Sequence, residues 1–174
     1  TIGSQFIING FYRTVLVIGA EVLSKVTNWT DRETCILLAD GAGAVVLRPV
    51  AADQGILAMK LGADGAGGKE LFLPAGGSRM PLTAEGLAAN LNKLHMNGSE
   101  VFKFAMKMLP EVTGQALDMA GLTTEDIALI IPHQANMRII EAAARRMELP
   151  LEKFMVNLDR YGNTSSASIP IALH

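Results

Sequence analysis

The sequence predicts an α/β protein in which short apolar strands alternate with amphipathic helices. Apolar runs occur at six places, residues 14–20, 34–38, 44–48, 55–61, 127–131 and 154–158. Continuous runs of this kind are typical of strands in parallel sheets, which are covered on both faces. Helical patterns follow the last two runs, at residues 136–149 and from Ser165 onward. Because strand and helix alternate there, we predict a mostly parallel sheet.

Two further helices are predicted from apolar spacing and capping residues. Residues 1–12 carry apolar side chains at helical spacing. Ser99 can cap the start of a second helix, and Gly121 can cap its end. Pro110 is expected to kink or split this second helix. The glycine-rich residues 62–80 predict a long surface loop before it.

The composition excludes several function classes. The 174 residues are 49% hydrophobic, with a mean hydropathy of +0.29, which suits one domain or two small halves of one. A net charge of −2 gives no sign of nucleic-acid binding. No apolar run reaches the roughly 20 residues that span a membrane. The single cysteine, Cys35, rules out an internal disulfide and fits a reducing compartment, and the absence of closely spaced Cys or His pairs predicts no metal site.

Both ends of the sequence resemble the interior of a longer chain. Thr1 lies inside a helical pattern without a preceding Met, and His174 follows an apolar run at residues 169–173. We therefore expect an internal piece of a longer protein. The absence of a leader peptide before Thr1 then says nothing about targeting.

A His and an Asn follow two of the predicted strands. His133 lies in the sequence Ile-Pro-His-Gln-Ala-Asn at residues 131–136, and Asn163 lies in Tyr-Gly-Asn-Thr-Ser-Ser at residues 161–166. In open α/β sheets, ligands bind at the carboxyl ends of strands. A neutral His and an Asn amide can both donate hydrogen bonds to one oxygen. The pair therefore suits an enolate or oxyanion that forms in a transition state.

The helix after His133 is predicted to have one apolar and one basic face. At 100° per residue, the apolar side chains cluster on one side, Ile139, Ile140, Ala143 and Met147. Arg138 and Arg145 lie on the opposite side, with Arg146 at the flank. A basic face beside a catalytic group suits an acidic partner or a phosphate.

The sequence resembles the β-ketoacyl-acyl-carrier-protein synthase III family of the thiolase superfamily. The likeness is carried by five segments, residues 17–21, 30–32 with 40–44, 96–103, 132–138 and 159–165. It implies a thiolase-like five-layer αβαβα fold of two similar halves. Residues 1–65 would be the end of the first half and residues 66–174 most of the second, so that the fold is incomplete at both ends.

The resemblance also implies a Cys–His–Asn triad. His133 and Asn163 match the family's His and Asn, whereas the nucleophilic Cys is expected a few residues before Thr1. Cys35 lies in a strand-like run and does not match it. In the family, an acyl-CoA acylates the Cys, malonyl-acyl-carrier protein loses CO₂, and the resulting enolate attacks the acyl-enzyme. The role implied for the His is that of a neutral donor to the enolate, not of an imidazolium.

Further roles follow from the resemblance alone. Arg32 would contact the CoA adenine, and Asn136 would lie in the active site near His133. The wall of the pantetheine tunnel is assigned to three residues, Met96, Gly98 and Phe102. Docking of the carrier protein is assigned to three basic residues, Arg138, Arg145 and Arg146. The family implies a cytoplasmic homodimer with no cofactor, since acyl-CoA is a substrate.

Each assignment has an alternative interpretation. His133 could be a structural residue at a strand end, Asn163 a helix cap, and the basic face an ordinary solvated surface. At the level of function, the alternatives are a condensing enzyme of specialised metabolism from the same superfamily and a non-catalytic interaction module. A Cys-bearing segment upstream of Thr1 would favour an enzyme over the module.

Overall fold

The computed structural model describes residues 1–51 and 54–174 as a mixed α/β chain. Its helices are α1 (Ile2–Ile8), α2 (Arg32–Cys35), α3 (Ala84–Ala88), α4 (Gly98–Ala120), α5 (Met137–Arg146), α6 (Leu158–Tyr161) and α7 (Ser168–Leu173). Its strands are β1 (Val15–Glu21), β2 (Gly41–Leu47), β3 (Leu71–Phe72) and β4 (His95–Met96). Short 3-10 segments lie between them, at residues 23–25, 65–69, 124–126, 151–153 and 165–167. Residues 52 and 53, which belong to the predicted first half, lie outside the described residues.

The paired strands are antiparallel. β1 pairs with β2 along its full length, from Val15 to Glu21, and β3 pairs with β4. The predicted mostly parallel sheet is therefore wrong for these strands. Parallel pairing in the described part of the chain is limited to two single bridges, Leu38 with Asn163 and Ile130 with Phe154. Apolar runs indicate burial, and burial does not determine the direction of a partner strand.

Several predicted strands do not form in full. Asp31 accepts the N–H of Glu33 and thereby caps α2, so residues 32–35 are helical and only Leu38 of that run pairs. A carboxylate at a helix start offers the backbone an alternative to strand pairing. Three other runs also form no full strand, residues 55–61, 127–131 and 154–158.

The ends of α4 follow from capping chemistry. Asn97, and not the predicted Ser99, is the N-cap, because its side chain accepts the N–H of Glu100. Gly121, at φ 68°, ends the helix in the left-handed conformation, as predicted. Pro110 does not split the helix. No helix among the described residues, α4 included, is long and apolar enough to cross a membrane.

A small core beside α5 supports the segment that carries His133. Its buried members are Ile140, Ala143, Ala144 and Phe154. Half-buried apolar residues pack around them, Leu109, Ile130, Met147, Leu149, Val156 and Leu158. The predicted orientation of α5 is confirmed, since its apolar face turns to this core while its arginines are exposed.

Glycines allow the chain before and within α7 to lie directly on the β1–β2 pair. A Cβ atom on Gly19 would be 2.5 Å from the carbonyl oxygen of Ser166, and one on Gly43 would be 2.9 Å from Pro170. The Glu21 carboxylate accepts the Ser166 hydroxyl at 2.6 Å and its N–H at 3.3 Å. Both hydrogen bonds hold the pKa of the Glu21 carboxyl below its ordinary value, and the bond from the hydroxyl has the larger effect. The strand pair therefore fixes the chain that enters α7.

We expect Gly19→Ala to lower the free energy of unfolding by about 1–3 kcal/mol, because the added Cβ overpacks against Ser166. Urea unfolding followed by circular dichroism measures the change. Gly62→Ala is the matched control, since a Cβ at Gly62 meets no atom within 4 Å. Equal unfolding midpoints for the two variants would contradict the direct packing of Ser166 on β1.

Candidate functional site

His133 lies between a strand-like bridge and the start of α5. Ile130 pairs with Phe154 just before it, and Asn136 caps α5 just after it by accepting the N–H of Arg138 at 2.9 Å. Within the turn, Ala135 donates its N–H to the His133 carbonyl at 3.0 Å. Hydrogen bonds therefore fix the backbone on both sides of His133. The residue lies between a strand-like segment and a helix start, as the sequence predicted.

Gln134 holds this turn from the inside. Its side chain is 1% exposed, and its amide donates to the carbonyls of Pro132 and Met155, both at 3.0 Å. Its amide oxygen accepts the N–H of Asn157 at 2.9 Å. Sequence reasoning gave Gln134 no role, because a polar residue in a turn carries no sign of burial. The structure shows a cross-link between the turn of His133 and the segment 155–157.

Asn163 lies at the second bridge, beside the chain that leads into β2. Its N–H donates to the Leu37 carbonyl, and its carbonyl accepts the N–H of Ala39, both at 2.9 Å. Its side-chain oxygen accepts the N–H of Ser165 at 3.0 Å. The amide orientation is thereby fixed, since the oxygen must face Ser165. The amide nitrogen, which makes no hydrogen bond to the described residues, keeps its two donors for a ligand.

One short segment connects the two candidate donors. Asn163 begins it, and Ser168 follows five residues later at the start of α7. The Ser168 hydroxyl lies 2.5 Å from Nδ1 of His133, and Ser168 itself is 2% exposed. The segment 163–168 therefore contains the Asn163 turn and also contacts the His133 ring through Ser168. No sequence signal identified Ser168, because its contact partner lies 35 positions away.

The electrostatic environment favours a neutral His133. The residue is exposed as a whole, but the protein around its Nδ1 edge removes water from the ring. This desolvation lowers the pKa of His133 below its ordinary value of 6.5. At neutral pH the ring is therefore an imidazole, which can donate one N–H without carrying positive charge.

The predicted binding residues of α4 lie close to the start of α5. Met96 pairs with Leu71 in the β3–β4 strands, and Gly98 begins α4. One turn further, the Phe102 ring lies under the Arg138 guanidinium, 5.3 Å from its centroid. The segment 96–102 therefore contacts the helix that follows His133.

Arg32 lies on a neighbouring segment. It is exposed at the start of α2, next to the capping residue Asp31. The Thr34 hydroxyl, followed by the backbone N–H of Glu33, lowers the pKa of the Asp31 carboxyl below its ordinary value. Leu94 donates its N–H to the Val26 carbonyl at 2.8 Å and ties the two segments together. The segment that precedes α2 is thus bonded to the residue just before the strand that contains Met96.

The last two predicted docking residues, Arg145 and Arg146, lie on the exposed surface of α5. They are at the far end of this helix, about two turns beyond Arg138. In residues 1–51 and 54–174, no three His, Cys, Asp or Glu side chains are grouped as metal ligands would be. The expectation of no metal stays a prediction.

The α/β fold and the order of the motifs along the chain are those of a thiolase-like condensing enzyme, and comparisons with known proteins identify the family. The family model for 3-oxoacyl-[acyl-carrier-protein] synthase III matches residues 1–65. The model for the C-terminal part of the same family matches residues 117–174. Together they match more than half of the sequence, and the chain belongs to the 3-oxoacyl-[acyl-carrier-protein] synthase III family.

Individual relatives give the same result. A β-ketoacyl-[acyl-carrier-protein] synthase III of Caldanaerobacter subterraneus is 57% identical over 99% of this chain and 52% of its own length. The crystal structure of the Thermus thermophilus synthase III is 46% identical, covers 99% of this chain and 52% of its own, and superposes with a TM-score of 0.87. The priming β-ketosynthase of the R1128 polyketide pathway is 33% identical, covers 99% and 51% of the two chains, and has a TM-score of 0.81.

The comparisons confirm the family and the fold class that the sequence predicted. The chain spans about half the length of the curated relatives it matches. The division into halves at residue 65 and the roles of individual residues stay predictions.

We expect the His133 ring to titrate below about 6.5, the value of an unburied His. Between the two pKa values, the unfolded chain binds more protons than the folded chain, so stability falls as pH drops through this window. An NMR titration of the ring protons measures the pKa directly. Titration above 6.5 would contradict the desolvated environment.

Proposed function

We propose that this chain is the enolate-stabilising part of a β-ketoacyl-acyl-carrier-protein synthase III. The whole enzyme would join a primer acyl-CoA, such as acetyl-CoA, to malonyl-acyl-carrier protein with decarboxylation and so begin type II fatty acid synthesis. Membership of the family supports this proposal. The observation that carries it is the contact of a neutral His133 with Ser168, on the same short segment as the fixed amide of Asn163.

The reaction needs a covalent acyl-enzyme first. A cysteine thiolate attacks the carbonyl carbon of acyl-CoA, the thioester bond to CoA breaks, and CoA leaves as the thiolate. Cys35 is half-buried at the last residue of α2 and does not match the family's nucleophile, and we propose a cysteine upstream of Thr1 for this step.

His133 and Asn163 act in the second half-reaction. When malonyl-carrier protein loses CO₂, the electron pair of the broken C–C bond moves into the thioester and forms an enolate. His133 and the Asn163 amide donate hydrogen bonds to the enolate oxygen, where negative charge develops. The enolate carbon then bonds to the acyl carbonyl carbon, and the cysteine thiolate leaves.

The substrates would approach along the segments next to α5. We propose that Arg32 binds the CoA nucleotide and that Met96, Gly98 and Phe102 line the pantetheine tunnel. The stacking of Arg138 on Phe102 supports this arrangement, since it joins the proposed tunnel wall to the helix after His133. Asn136 uses its side-chain oxygen to cap α5, so its amide nitrogen remains to contact the thioester arm.

The acidic carrier protein would dock on the basic face of α5. Arg138, Arg145 and Arg146 are exposed on that face, directly after His133. A positive face at the tunnel mouth steers an acidic partner toward it. We further propose a cytoplasmic homodimer that uses no cofactor, in line with the family resemblance and the single cysteine.

A second candidate is a condensing enzyme of specialised metabolism. The likeness to the priming β-ketosynthase of the R1128 pathway favours it, since about half of that protein shares the fold of 99% of this chain. The two candidates would share His133 and Asn163 and differ in the acyl-CoA that they accept.

A chimaera tests the proposed function. The matched half of the Caldanaerobacter relative is replaced by this chain, which aligns with it over 172 residues. Condensation of radiolabelled acetyl-CoA with malonyl-carrier protein supports the first candidate, and use of longer or branched acyl-CoA alone supports the second. A folded chimaera with neither activity would support the interaction module.

In the chimaera, we expect His133→Ala and Asn163→Ala each to slow malonyl decarboxylation by about 10²–10³, because each removes one donor from the enolate oxygen. Acyl transfer from acetyl-CoA to the enzyme should change far less. Release of CO₂ and retention of label on protein measure the two steps separately. Cys35→Ser is the control and should change neither; equal loss of both steps would refute the roles of His133 and Asn163.

We expect the double variant Arg138→Glu/Arg145→Glu to raise the KM for malonyl-carrier protein and to leave acyl-CoA use nearly unchanged. Charges at the rim of an interface act mainly on association. The effect should shrink with added salt, as the Debye length falls below about 8 Å. Arg48→Glu, at an exposed residue directly after β2, is the charge control. Equal impairment of acyl-CoA use would place carrier docking elsewhere.

A further inference from the structure

We propose that Ser168 is a positioning residue that holds His133 in the tautomer whose proton is on Nε2. This inference rests on the proposed function, which needs an N–H donor from His133, and it names the group that supplies the correct tautomer. The Ser168 hydroxyl oxygen lies 2.5 Å from Nδ1 of His133 and is buried with the rest of its side chain. Nδ1 therefore faces protein, and Nε2, on the opposite edge of the ring, is the nitrogen available to a substrate.

The hydrogen bonds of Ser168 determine which atom carries the shared proton. The backbone N–H of Gln134 points to the same hydroxyl oxygen at 3.5 Å. Ser168 is an acceptor in that contact, because a backbone N–H can only donate. Within the described part of the chain, Ser168 makes no other side-chain hydrogen bond besides the one to His133.

Counting donors and acceptors then separates the two tautomers. If Nδ1 carries no proton, the Ser168 hydroxyl donates to it, the Gln134 N–H donates to Ser168, and every group is paired. If Nδ1 carries the proton, both His133 and Gln134 donate to Ser168. The hydroxyl proton is then left buried with no acceptor among the described residues, and an unpaired buried donor is destabilising. The first tautomer is therefore favoured.

The favoured tautomer is the one that decarboxylation requires. With its proton on Nε2, a neutral His133 presents an N–H to the enolate oxygen. The other tautomer would present a lone pair to developing negative charge and would oppose the reaction. Ser168 lies on the same segment as Asn163, so one stretch of chain orients both donors.

The first test reads the tautomer without any activity. The ¹⁵N chemical shifts of a histidine-labelled chain distinguish a protonated from an unprotonated ring nitrogen. At a pH above the pKa of His133, we expect the proton on Nε2 in the unaltered chain. Ser168→Ala should give a mixture of tautomers, and Ser168→Thr should restore the single form. A proton on Nδ1 of the unaltered chain overturns the proposal, and this spectrum decides even if Ser168→Ala does not fold.

The second test uses the chimaera. Ser168→Ala should slow decarboxylation by about tenfold, less than the loss of His133 itself, and should move the acid limb of its pH profile to higher pH. Ser168→Thr should recover most of the rate, and acyl transfer should be unchanged in both variants. A variant that only loosens α7 would lose both steps with no shift of the acid limb, and that result overturns the role of Ser168. If the chimaera is inactive, the proposed function fails while the tautomer result still stands.

Discussion

The close contact between Ser166 and the backbone of β1 is the constraint on which the rest of the site depends. Gly19 leaves no room for a side chain there, and Glu21 accepts both the N–H and the hydroxyl of Ser166. This contact fixes the segment that begins with Asn163 and ends at Ser168. The β1–β2 pair, which contains none of the residues assigned to catalysis, therefore positions both the Asn163 amide and the Ser168 hydroxyl that contacts His133.

The ring of His133 is held from a second, independent side. Gln134 cross-links its turn to segment 155–157 by two hydrogen bonds and closes the turn by a third to Pro132, and the core around Ile140 fixes the start of α5. A buried amide with all its partners in place stiffens a turn, whereas one with missing partners would weaken it. His133 and Asn163 are thus positioned by different parts of the fold. The two parts are joined by the contact between Ser168 and His133.

The sequence predicted the parts that local chemistry determines. His133, Asn163 and the helix between them follow from strand ends and apolar spacing, and the end of α4 follows from Gly121. It did not predict features that depend on distant partners. Strand direction, the helical start near Asp31 and the bond from Ser168 to His133 each depend on contacts across the fold. Apolar content indicates that a segment is buried, but a buried strand can pair with different partner strands and in either direction.

The stacking of Arg138 on Phe102 makes the three arginines of α5 unequal. A free arginine side chain loses considerable rotamer entropy when a partner immobilises it. Arg138 has already lost part of that freedom, because its guanidinium lies 5.3 Å from the ring centroid. An acidic partner that pairs with it therefore meets a charge in a preorganised place. For such a partner, Arg138 would contribute more to the strength and direction of binding than the likewise exposed Arg145, and a lysine there would keep the charge but lose the stacking on Phe102.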